Sequence, residues 1–134
     1  MPILLVMSCV AAVLAGLVHA AVFALQTIAW TSPSVRQAFG ISSETEAAAT
    51  RSLAFTQGFS NLFLAIGAVL GVVLVATGSE AAGWALVVFS CACMLGAALV
   101  LAGTGSRFRR SAVAQGVFPL VALLLAFLGS LVAA

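Results

Sequence analysis

Four apolar runs dominate this chain of 134 residues: Ile3 to Trp30, Leu53 to Thr77, Ala81 to Leu101 and Ser111 to Ala134. Each is longer than the ~18 residues a bilayer-crossing helix needs, and none contains Asp, Glu, Lys or Arg. Their apolar residues do not alternate, so the runs read as helices and not as barrel strands. Only 6% of residues are charged and 64% are apolar, with mean hydropathy +1.30. A soluble domain typically carries about 25% charge, so no water-facing surface can be built from this chain. The expectation is an all-α integral membrane protein with a single transmembrane domain over residues 1–134.

The connections between the runs set the architecture. Thr31-Ser32-Pro33 ends the first helix, because the residue before a proline is pushed out of helical geometry. Val35 to Ser42 reads as a polar linker. Ser43, with Glu46 three residues on, forms a capping box, so the second helix is expected to begin near Glu44, ahead of the membrane, and to run to about Thr77. Thr77 to Glu80 is a tight turn, and Gly103 to Arg110 is a basic loop. Trp84 suits an interface at the start of the third span. Short links between sequential helices favour an up-down four-helix bundle.

The arginines orient it. Arg36, Arg51, Arg107, Arg109 and Arg110 all fall in the first and third connections. The positive-inside rule places those connections in the cytoplasm and both termini on the non-cytoplasmic side. The first run has no basic n-region and continues past Val18-His19-Ala20, so it reads as a retained helix, not a cleaved signal. A net charge of +2 scattered over loops is no nucleic-acid footprint.

Small residues recur at four-residue spacing: Ala12, Gly16, Ala20 and Ala24, then Gly67 and Gly71, then Ala92 and Gly96. They let helix backbones approach closely, within the bundle first and across a homo-oligomer contact second. Cys9, Cys91 and Cys93 lie inside apolar runs and read as small packing residues.

The polar side chains inside the runs carry the chemistry. Gln57 and Asn61 are four apart and share one face of the second helix. Gln26 lies about one turn from the Arg-rich end of the first span, and Gln115 about one turn inside the fourth. Three helices thus place carboxamides in one layer, ~5–10 Å below the cytoplasmic interface at 1.5 Å per residue. His19, Phe23, Gln26 and Trp30 form a stripe on the first helix, with His19 deeper than Gln26. Pro119 has no N–H, which frees the carbonyl of Gln115. An amide in hydrocarbon costs several kcal/mol, on the order of a lost hydrogen bond or more, unless a partner satisfies it. Such a layer is therefore a closed interhelical network or a pocket.

Several chemistries lack their residues. No carboxylate lies in a span, as a proton-coupled exporter would require. No catalytic triad, paired carboxylate or phosphate loop is present. His19 has no second His, Cys pair or carboxylate beside it in the sequence, so neither haem nor metal is implied, and no cofactor is assigned.

With these residues in view, the chain resembles a family of small four-helix bacterial membrane proteins, a domain of unknown function, number thirteen-oh-four. The matches are His19 and Trp30 on the first helix, Gln57, Gly58 and Asn61 opening the second, and Gln115 and Gly116 opening the fourth. The departures are Gln26 where the family tends to have Glu, Thr56 for Asn, Ser60 for Tyr, and Pro119 one residue late. The resemblance implies the four-helix fold and gives weight to the polar layer. It implies no activity.

The expected function is binding of a small amphipathic molecule, a lipid or quinone headgroup, by Gln57, Asn61, Gln115 and Gln26, with His19 as a deeper contact and Trp30 as an interfacial wall. Two other readings stand beside it: an accessory subunit of a larger membrane complex, and an intramembrane enzyme relying on His19. Membrane lipids and a homo-oligomer are the partners expected in the first reading, and a larger membrane complex in the second.

Overall fold

The computed structural model describes all residues from Met1 to Ala134. The protein is all-helical: α1 (Ile3–Thr27), α2 (Pro33–Phe39), α3 (Glu44–Ala76), α4 (Glu80–Thr104) and α5 (Arg109–Ala133), with a 3-10 turn at Ser106–Phe108 leading into α5. Four of these helices are long and apolar enough to cross a membrane. Large apolar side chains such as Phe63, Phe89, Leu99 and Phe127 are exposed on the outside, which suits hydrocarbon as the solvent.

The four long helices form a ring. α1 packs on α3 and α5, α4 closes the ring between α3 and α5, and α1 and α4 face each other across the middle with few contacts. Only 31 of 134 residues are buried, and most are Ala, Gly, Ser or Cys. Close backbone approach therefore holds the bundle together, not large interdigitating side chains. A Cβ added to Gly71 would lie 2.8 Å from the Val87 nitrogen and 2.9 Å from the Gly83 carbonyl oxygen. Gly16 sits in the same way against Ala65 and Val69, and Gly58 against Phe23, Gln26 and Thr27. Gly67 and Gly71 are thus spent inside the bundle, as Gly16 is. Gly96 has no such neighbour and faces outward.

Deep in the ring, Ser8 and His19 are matched to backbone carbonyls. Ser8 donates to the Ala122 carbonyl at 2.7 Å, tying α1 to α5. This bond spans 114 residues of sequence, and its acceptor is main chain, which no side-chain pattern announces.

The first connection differs from the polar linker expected between Val35 and Ser42. α1 ends at Thr27, and Pro33 then opens the seven-residue α2, where its fixed φ and missing N–H are tolerated. Val35 and Phe39 are buried on the bundle side of α2. Gly40, at φ 71°, ends the helix, and the Ile41 N–H returns to the Arg36 carbonyl. Two apolar residues four apart suffice to dock so short a helix, and the polar residues around them mask the signal.

α3 begins where its cap dictates. Ser43 is the N-cap, and its hydroxyl accepts from the Glu46 N–H at 3.1 Å. The return bond of the capping box is displaced by one residue. The Glu46 carboxylate accepts from the N–H and hydroxyl of Ser42, at 2.8 and 2.6 Å, not from the N–H of Ser43. α3 then continues for 33 residues without interruption.

Candidate functional site

The Arg-rich end of the bundle holds a cleft of about 650 Å³. Its wall on α3 is the stripe Leu53, Gln57, Ser60, Asn61 and Leu64, and its wall on α4 is Ala97, Val100, Leu101 and Thr104. Gln26 and Trp30 close it on one side, and Ser111 and Gln115 on the other. Roughly this volume is usual for a small-molecule site.

The carboxamide layer converges on this space. Asn61 donates from Nδ2 to Gln26 Oε1 at 2.8 Å, joining α3 to α1. The same Nδ2 reaches the Gln57 carbonyl at 3.2 Å. Gln115 donates from Nε2 to the Ser111 hydroxyl at 2.9 Å along α5. No direct bond links Gln115 to the Gln26–Asn61 pair. The layer is therefore half network and half open lining. The Gln26 amide nitrogen, the Asn61 oxygen, the Gln115 oxygen and the Gln57 carboxamide make no hydrogen bond within the protein, and all four residues line the cleft.

Trp30 does more than form a wall. It is buried, its Nε1 donates to Thr50 Oγ1 at 3.1 Å, and its ring meets Phe39 edge-on at 5.3 Å between centroids. Thr50 in turn donates to the Glu46 carbonyl at 2.8 Å. The connection after α1, α2 and the first turns of α3 are braced together through this one indole.

His19 lies apart. It is 1% exposed, its Nδ1 pairs with the Ala15 carbonyl one turn back at 3.0 Å, and it is not among the residues that line the cleft. Its depth along α1 is as expected, but its side chain is held within the bundle. No group of three or more His, Cys, Asp or Glu side chains gathers anywhere in the protein.

Two residues at the mouth were read from the sequence for a helix cap and for orientation, not as a pair at the site. Arg107 and Glu46 pair at 2.9 Å between Nη2 and Oε1, joining the 3-10 turn to the start of α3. The guanidinium also lies over the Phe108 ring, 4.6 Å from its centroid. The Ser42 hydroxyl and N–H, and then Arg107, hold the Glu46 carboxyl down at about 2. The sequence signal was available: both charges lie in connections that the Arg distribution places on one side.

No curated protein and no solved structure matches the chain. A family described as "Protein of unknown function (DUF1304)" matches residues 13–127. That stretch takes in every cleft-lining residue on the four long helices and the connections between them. The chain therefore belongs to the DUF1304 family.

Proposed function

We propose that this protein is a multi-pass inner-membrane protein whose carboxamide cleft binds a small amphipathic molecule, such as a lipid or quinone headgroup. In this reading the helices run up and down, both termini are non-cytoplasmic, and the cleft opens in the cytoplasmic leaflet. The five arginines at the cleft's end of the bundle support that orientation. The observation that carries the binding reading is the cleft itself. Gln26, Gln57, Asn61 and Gln115 surround a space of about 650 Å³ that the protein does not fill, and they retain donors and acceptors toward it. Amides left without partners in hydrocarbon are costly, so a bound headgroup with water is the economical occupant.

The cleft's composition supports an amphipathic ligand over a wholly polar one. Leu53 and Leu64 flank the amides of α3, and Ala97, Val100 and Leu101 form an apolar wall on α4. Native mass spectrometry of the detergent-extracted protein tests the reading. The expected spectrum shows one retained lipid-sized adduct per chain, and a bare chain under conditions that preserve other lipid complexes contradicts it.

A further inference from the structure

We infer that the occupant is a lipid with an uncharged headgroup, entering sideways between α3 and α4; this rests on the binding reading of the cleft. Two independent features lead there.

The first is the open flank. α3 and α4 are locked together far from the cleft, where Gly71 meets Gly83 and Val87 and where Gly67 meets Ser90. Toward the Arg-rich end the two helices instead supply facing walls of the cleft, from Leu64 to Leu53 on α3 and from Ala97 to Thr104 on α4. The neighbouring seams stay shut at that level. Gly58 lies against Gln26 and Thr27 on the α1 side, with Phe23 and Phe59 edge-on at 5.2 Å. Gly116 lies against Ala98 on the α5 side. Leu53 and Val100, on the two lips of the gap, are 58% and 70% exposed. The roof carries the Glu46–Arg107 pair and Phe108. A molecule reaching the amides through the α3–α4 gap comes from the bilayer and leaves its acyl chains there.

The second feature is charge. Of the five arginines only Arg107 lines the cleft, and Glu46 already neutralises it at 2.9 Å. Glu46 Oε2 is further occupied by Ser42. All other polar lining groups are neutral amides, hydroxyls or the indole. Glu46 balances the one arginine of the lining, so the cleft offers an anionic phosphate no unpaired cation, whereas its free amide groups match hydroxyl and carbonyl groups directly. The headgroup class is thus hydroxyl- or carbonyl-bearing and uncharged, as in a diacylglycerol or a quinone.

The test measures binding of three probes to the full chain in detergent: dioleoylglycerol, a long-chain quinone and phosphatidylglycerol. One of the two uncharged probes should bind at least about tenfold more tightly than phosphatidylglycerol, and which one does so identifies the source. Ala97→Trp, which fills the flank, should weaken that binding by about tenfold or more. Val113→Trp, on the exposed outer face of α5, should leave it unchanged and controls for folding. Phosphatidylglycerol binding as well as the uncharged lipids, or Ala97→Trp binding normally, overturns this inference while leaving an occupied cleft. Failure of all three probes overturns the binding reading as well.

Discussion

Asn61 and Gln26, 35 residues apart in sequence, meet side chain to side chain at 2.8 Å across the α1–α3 seam. It is the one amide–amide bond between helices in the structure, and it joins two of the cleft's walls. Replacing either residue by Leu should cost about 1 kcal/mol, and the double variant should cost less than the sum. The expected coupling is about 0.6–2 kcal/mol. A double-mutant cycle on unfolding in detergent measures it, and strict additivity contradicts a direct bond.

Gly71 should tolerate nothing larger. A methyl group there meets main-chain atoms of Gly83 and Val87 at under 3 Å, and backbone cannot swing aside as a side chain can. Gly71→Ala should destabilise by about 1–3 kcal/mol. Gly96→Ala, with open space around it, should be silent in the same melting experiment. Equal effects at the two sites would contradict backbone packing between α3 and α4.

Much of this frame was legible in the chain. Ser43 and Glu46 state the start of α3 by local rules, because a cap depends on neighbours in sequence. The depth of Gln26, Gln57, Asn61 and Gln115 follows from helical rise alone, so their convergence on one space could be argued before any packing was known. What was not legible depends on lateral placement. Periodicity puts His19 on the same stripe as Gln26, but whether its ring turns toward the cleft depends on the neighbouring helices. α2 was masked because a seven-residue helix shows too few turns for a period to emerge. The Glu46–Arg107 pair joins segments 61 residues apart, and no local spacing links two charges in different connections.

Acid should loosen the cleft's roof. The Glu46 carboxyl sits at about 2, below its ordinary 4.5, because Ser42 donates to it twice and Arg107 pairs with it. A depressed carboxyl stabilises the folded state fully above its unfolded value, and the contribution disappears as pH falls toward the folded one. Melting temperature should therefore drop as pH is lowered from about 5 to about 2. In Glu46→Gln the same series should be flatter, and identical slopes would contradict the pairing.

Orientation is checked by fusions. With the arginines inside, a C-terminal alkaline phosphatase should be active and a C-terminal green fluorescent protein dark. The reverse pair of results contradicts a non-cytoplasmic C-terminus.

The central claim is that the carboxamide cleft holds a ligand and is not a packing defect. Gln57 separates these, because its side chain lines the cleft while bonding to no other amide of the layer. The decisive measurement is native mass spectrometry of Gln57→Leu beside the unsubstituted protein, with melting temperatures recorded in parallel. Gln57→Leu should lose its lipid-sized adduct and melt at the same temperature. An adduct retained at full occupancy in Gln57→Leu would contradict it.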